Sequence, residues 1–230
     1  MTGSRAVVFL AGEYEDDACS YYLEQAEAAD LIVAADAGAA FLVRHGVQAD
    51  VVVGDFDSLS VADLKTVEGS GAVVQRHPLH KDLTDGELAV TEALRRGASE
   101  VILVGAYGAL DHTLGHMAIM RRLAAQGVIA RLTSSRLAVR VLTGSRSCAL
   151  DSAVGTRVSL VPLDEGAVLS IHGFRYSLCR SLLAADECRG LGNVIAALPA
   201  TITVHAGAVV VLVESGSESF GAARRAARPA

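Results

Sequence analysis

Through its first 135 residues the chain repeats one pattern, a short apolar run followed by a stretch with helical spacing. The runs are Ala6 to Ala11, Leu31 to Ala35, Val51 to Val53, Val73 and Val74, Val101 to Val104, and Val128 to Leu132. Strands that alternate with helical segments of roughly 10 to 15 residues form βαβ units, and such units close into a parallel sheet. The run Val51 to Val53 is β-branched throughout, as suits a strand covered on both faces. From about Arg136 the texture changes to strand-like runs such as LAVRVLTG, TRVSLVPL and TITVHAGAVVVLVE, separated by Gly, Ser and Asp. Only Leu178 to Asp186 reads there as a brief helix.

The expected fold class is therefore α/β: a Rossmann-like parallel-sheet domain over residues 1–135, then an all-β sandwich domain over 136–216. The small, polar, arginine-bearing end of the chain, 217–230, is expected to be a disordered tail. A hydrophobic content of 51% with no Trp suits such layers, and a net charge of −6 argues against a general nucleic-acid surface. Any bound polyphosphate then needs local Lys, Arg, backbone amides or metal. The four cysteines form no CxxC pair, so they read as reduced thiols. The apolar run near the N-terminus is too brief for a signal peptide or a membrane span, and the expected location is the cytoplasm.

The chemistry concentrates after the strands. GDFDS, residues 54–58, ends the Val51 run with Asp55 and Asp57 one residue apart. In an extended segment their carboxylates lie about 6.6 Å apart on one side and could grip a divalent cation. The same turn could instead cap the next helix through Asp57 or Ser58. Asp36, Asp82, Asp85 and Asp111 also fall just after expected strands. Acids converging on one edge repel each other unless cations neutralise them, which favours magnesium. In KDLTD, Asp82 could meet metal and Lys81 phosphate, while Thr84 with Glu87 equally fits a capping box. The turn GAYGALDHT, residues 105–113, offers backbone amides to an anion but fits neither the dinucleotide fingerprint nor the P-loop. His112 and His116 lie one helical turn apart without the Glu of a zinc motif and read as packing or hydrogen-bonding residues.

Taken in order and spacing, ADAGA (35–39), GDFDS (54–58), KDLTD (81–85) and LDHTL (110–114) resemble thiamin pyrophosphokinases. GFRYSL (173–178) and GLGN (190–193) extend the resemblance over most of the chain. It implies a nucleotide-handling α/β domain, a thiamin-binding β-sandwich, and a homodimer with active sites at the subunit interface. It also implies transfer of pyrophosphate from ATP to the thiamin hydroxyl with magnesium, giving thiamin diphosphate and AMP. Carried over by position, Asp55, Asp57 and Asp82 manage metal and phosphates, with Asp85 and Asp111 in support. Asp36, Gly38, Lys81, Gly108 and His112 line the nucleotide pocket, and Tyr176 and Asn193 meet thiamin. Three departures stand out: Ala109 where the family has Gly-Arg, DAGAA for a DGGAN-like turn, and Gly192 for a serine. The alternatives are a pyrophosphokinase of another alcohol, such as a hydroxymethyl pterin, and a non-catalytic nucleotide-binding homologue. Neither nucleic acid nor membrane is an expected partner.

Overall fold

A computed structural model describes residues 4–78 and 82–214. Lys81 and the tail segment 217–230 lie outside the described residues. The chain divides into two compact units between Ser134 and Ser135. Together they make a mixed α/β fold with a mostly parallel sheet and additional antiparallel sheet.

In the first unit, strands β1 (Ser4–Phe9), β2 (Leu31–Ala35), β3 (Val51–Gly54), β4 (Val73–Arg76), β5 (Ala98–Val104) and β6 (Ile129–Thr133) lie parallel in the order β6-β5-β1-β2-β3-β4. Helices α1 (Cys19–Glu27), α2 (Gly38–Arg44), α3 (Val61–Gly69), α4 (Asp85–Arg95) and α5 (Leu110–Ala125) connect them. One parity of the strands, Val7, Phe9, Ile32, Ala34 and Val52, packs with Tyr22, Phe41, Leu42 and Val67 from α1 to α3. The ring of Tyr14 stacks on Phe41 at 4.3 Å and meets Tyr22 edge-on at 5.0 Å. Such ring pairs contribute about 0.5–1.5 kcal/mol each beyond simple burial. The opposite parity, including Val8, Val33 and Val53, is equally buried, and α4 packs along β1, β2, β3 and β5.

Helix α1 begins later than the helical spacing after Gly12 suggests. Gly12 and Glu13 donate their amides to the carbonyls of Gly105 and Tyr107, at 2.8 and 2.7 Å, so this segment is bonded to the loop after β5. A 3₁₀ turn at Asp16–Ala18 follows before α1 starts. Helix α3 starts at a side-chain cap, with the Ser60 hydroxyl accepting the Asp63 amide.

The second unit contains β7 (Leu137–Thr143), β8 (Arg146–Leu150), β9 (Arg157–Pro162), β10 (Gly166–His172), β11 (Leu178–Ala184), β12 (Asn193–Val194), β13 (Ala200–Ala206) and β14 (Ala208–Glu214). Antiparallel pairing gives the orders β12-β9-β14-β7 and β11-β10-β13-β8. Inward side chains of both groups, among them Leu142, Leu160, Val211, Leu169, Leu183 and Ile202, form one core.

The helix expected over Leu178 to Asp186 is instead strand β11. Leu169 faces Ser181 and Ile171 faces Leu178, so three steps on β11 match two on β10. The extra residue is taken up where Arg180 adopts a φ of +43°. An inserted residue turns a period of two into a spacing of three, which imitates a helix. No helix among the described residues is long and apolar enough to cross a membrane. The four cysteines are free thiols.

Candidate active site

The parallel order places β1 and β5 side by side while their chains leave in opposite directions across the sheet. In open α/β sheets a crevice opens at such a switch point, beyond the carboxyl ends of the strands. A cleft of about 560 Å³ occupies this place. Its floor is Leu10 to Gly12 after β1, and its walls include Asp36, Asp55, Asp82, Thr84, Asp85, Ala106, Tyr107, His112 and His116.

Two glycines make the floor possible. A Cβ at Gly38 would stand 2.1 Å from the carbonyl oxygen of Phe9, and one at Gly12 would stand 2.2 Å from that of Tyr107. Both distances are far inside van der Waals contact, so main chain must meet main chain at these points.

The acids gather from separate loops. Asp36, at the end of β2, takes a φ of +45° and donates its amide to the Val53 carbonyl at 2.8 Å, which ties it to β3. Its Oδ2 accepts a hydrogen bond from Ser58, while its buried Oδ1 has no hydrogen-bond partner among the described residues. One oxygen from each of Asp36, Asp55 and Asp57 falls within a cluster no wider than 4.8 Å.

The extended geometry expected for Asp55 to Asp57 does not form. Phe56 between them is 5% exposed and has a φ of +65°, an uncommon conformation for a bulky residue, and the Arg76 guanidinium lies 5.1 Å above its ring. Burial of the ring offsets the strain and reverses the chain locally. The Asp57 amide then reaches Asp55 Oδ1 at 3.2 Å. Asp57 itself is exposed, and its carboxyl is held above the ordinary value of 3.8, chiefly by the Asp55 charge, with Asp36 adding. A set of carboxylate oxygens that repel one another, one of them buried and unsatisfied, suits a hard divalent cation such as magnesium.

At the start of α4 the capping box forms in full: Thr84 Oγ1 accepts the Glu87 amide at 3.2 Å, and Glu87 Oε2 accepts the Thr84 amide at 3.2 Å. Capping and cleft lining coexist here, since Asp82, Thr84, Asp85 and Gly86 all face the cavity.

The remaining candidates are placed differently. Asp111 does not line the cleft; its Oδ1 accepts the His112 amide at 2.8 Å in the first turn of α5. Gly108 sits in the turn before α5 with a φ of +138°, and neither it nor Gly38 lines the cavity. Lys81 falls outside the described residues. In the second unit, Tyr176 is 69% exposed. Asn193 is buried there, and its amide bonds the Tyr176 backbone on both sides: Oδ1 accepts from the Tyr176 N–H at 3.2 Å and Nδ2 donates to the Tyr176 carbonyl at 2.8 Å.

Some cleft residues were given no role of their own by the sequence, among them Leu10 and Tyr107. The Tyr107 hydroxyl is buried without a hydrogen-bond partner among the described residues, with burial pushing its pKa up. His116 bonds the Ala106 carbonyl through Nδ1 at 2.8 Å. Its ring lies 6.5 Å from that of His112, and neither belongs to a metal-ligand cluster among the described residues.

Residues 22–132 match the family model described as thiamin pyrophosphokinase, catalytic domain. The thiamine pyrophosphokinase of Bacillus subtilis (strain 168) is 24% identical over 162 residues, covering 69% of this chain and 76% of the relative. The crystal structure of thiamine pyrophosphokinase from Bacillus subtilis superposes with a TM-score of 0.78 at 19% identity, over 95% of this chain and 100% of that one. Yeast thiamin pyrophosphokinase also gives 0.78, at 13% identity, over 93% of this chain and 87% of that one. These matches favour neither the pterin alternative nor the non-catalytic one.

Proposed function

With residues 22–132 belonging to the thiamin pyrophosphokinase catalytic-domain family, we propose that the chain is an ATP-dependent diphosphotransferase that uses thiamin as acceptor. The thiamin hydroxyl oxygen bonds to the β-phosphorus of ATP, the bond from that phosphorus to the bridging α–β oxygen breaks, and AMP leaves as the hydroxyl proton passes to a carboxylate. The single observation that carries this reading is the carboxylate cluster of Asp36, Asp55 and Asp57 at the edge of the cleft.

Pyrophosphoryl transfer asks little covalent work of a protein and much positioning. Asp36, Asp55, Asp57 and Asp82 would hold magnesium, which when bound neutralises phosphate charge and stabilises the transition state by several kcal/mol. Ser58 fixes the Asp36 carboxylate, and Phe56 anchors the turn that carries Asp55 and Asp57. Asp85 and Gly86, in the first turn of α4, line the cleft, and the positive end of this helix suits a phosphate oxygen. We assign Lys81 and His112 to the nucleotide, with Gly38, Gly108 and Asp111 shaping the turns beside its cleft.

On the acceptor side we assign Tyr176 to thiamin and Asn193 to holding the Tyr176 turn. The strand order supports reading the first unit as a Rossmann-like catalytic domain, and the shared core of the two antiparallel groups supports reading the second as a thiamin-binding β-sandwich. The family resemblance further supports a cytoplasmic homodimer with active sites at the subunit interface.

The test is AMP release from ATP and magnesium with and without thiamin, for the wild type and Asp57→Asn. Thiamin-dependent AMP that the substitution removes is the expected result. Wild-type protein that binds ATP yet releases no thiamin-dependent AMP would overturn the acceptor assignment.

A further inference from the structure

His116, on α5, lines the cleft, and its two ring nitrogens face different tasks. Nδ1 is 2.8 Å from the carbonyl oxygen of Ala106. A carbonyl only accepts, so the proton sits on Nδ1 and Nε2 keeps its lone pair. Burial lowers the basicity of the ring, which keeps it in this neutral form. Among the described residues no group hydrogen-bonds Nε2.

Gly86 of α4 faces Nε2 across the cleft wall. A Cβ placed on Gly86 would stand 3.7 Å from Nε2 and 3.2 Å from Leu10 Cδ2. Leu10, Gly86, Ala106 and His116 all line the cleft. Thr84 Oγ1 lies 3.9 Å from the same Cβ position, so two polar atoms, Nε2 and this hydroxyl oxygen, face the recess between Leu10 and Gly86.

The recess adjoins Asp85 through Gly86 and stands apart from Asp36 and Asp55. Asp36 and Asp55 follow β2 and β3, whereas Ala106 and α5 follow β5, and β1 lies between β2 and β5. At about 4.8 Å per strand the two ends are roughly 10–14 Å apart. That span leaves room for a nucleoside beyond its phosphates.

We propose that His116 is a specificity-determining residue whose Nε2 accepts a hydrogen bond from a donor group of the bound nucleoside, either the exocyclic amine of the base or a ribose hydroxyl. This inference rests on the reading of the cleft as an ATP site. A site built to pair a donor discriminates against analogues that lack it, because the buried acceptor is then left unpaired.

The experiment is calorimetric titration of the full chain with ATP and magnesium in the absence of thiamin, for wild type, His116→Asn and His116→Gln. Asparagine can still donate to the Ala106 carbonyl but places no atom at Nε2; glutamine can bring its carbonyl oxygen there. ATP should bind His116→Asn about five- to tenfold more weakly, with part of the loss recovered by glutamine. The same titrations with 2′-deoxy-ATP, 3′-deoxy-ATP and the purine riboside triphosphate lacking the 6-amine identify the donor. The analogue without it should bind wild type weakly and lose nothing further on His116→Asn. In turnover, His116→Asn should raise the KM for ATP and leave kcat in place. Equal ATP affinity in wild type and a folded His116→Asn would overturn the proposal, as would an equal loss for every analogue. A wild type that binds no ATP at all would overturn the nucleotide reading of the cleft itself.

Discussion

Strands β2 and β3 of the first unit are buried at every residue, whereas along β9 and β13 of the second buried positions are interleaved with partly or fully exposed ones. The two patterns distribute polar chemistry differently. In a parallel sheet every strand ends at the same edge, so Gly12, Asp36, Asp55 and Tyr107 reach one cleft from four loops. In an antiparallel group successive strands end at opposite edges, and polar side chains pair locally along the sheet, as Ser147 does with Thr203 at 2.8 Å and Ser170 with His205 at 2.9 Å. Carboxylates pooled where packing makes no demand cost the fold little, and that separation can be tested.

The largest effect should come from the edge. Asp55→Asn should reduce thiamin-dependent AMP release roughly 10²- to 10³-fold, on the scale of losing one strong electrostatic contact to the transition state. Its melting temperature should hold or rise, because one source of repulsion on Asp57 is gone. Unfolding of Asp55→Asn well below the wild-type temperature would break the comparison.

The second unit should show the reverse. Leu169→Ala, at a side chain with no exposed surface in β10, should destabilise by about 2–5 kcal/mol in a urea titration. A loss under about 1 kcal/mol would mean that the inward faces carry less of the stability than their burial implies.

Helix α4 sharpens the contrast, because its polar network belongs to the fold. Glu92 is 5% exposed and accepts from Arg95 and Arg96, each pair at 2.7 Å. Arg95 above all holds its carboxyl at about 2, below the ordinary 4.5. A carboxylate with a depressed folded-state pKa stabilises fully above its unfolded value and loses that contribution as pH falls, here between 4.5 and about 2. Glu92→Gln should cost about 1–2 kcal/mol at neutral pH, and its difference from wild type should close across that window in acid melts. The smallest effect should be Thr84→Ala, about 1 kcal/mol from loss of the α4 cap, read by thermal unfolding.

Much of this arrangement was legible in the residues. Apolar runs located the strands because burial on both faces leaves no room for polar alternation, and Thr84 with Glu87 marked the start of α4 through a local rule. Legibility ended where distant segments decide the outcome. The φ of Phe56 depends on a pocket for its ring and on Arg76 above it. The Arg180 bulge disguised β11 as a helix. Leu10, Tyr107 and His116 became cleft residues only through the adjacency of β1 and β5, and no local spacing encodes strand order. Asn193 carried the right chemistry for a ligand, yet its amide is engaged by the Tyr176 backbone.

The bare main chain beneath the cleft bears on how such a protein can diversify. At Gly12 and Gly38 any added carbon meets a backbone oxygen within 2.2 Å. Substitution at either glycine must therefore displace main chain, and the contour they set is closed to single side-chain changes. Selectivity is left to the walls, where Tyr107, Ala109 and His116 sit on the loop after β5 and on α5 and belong to no strand.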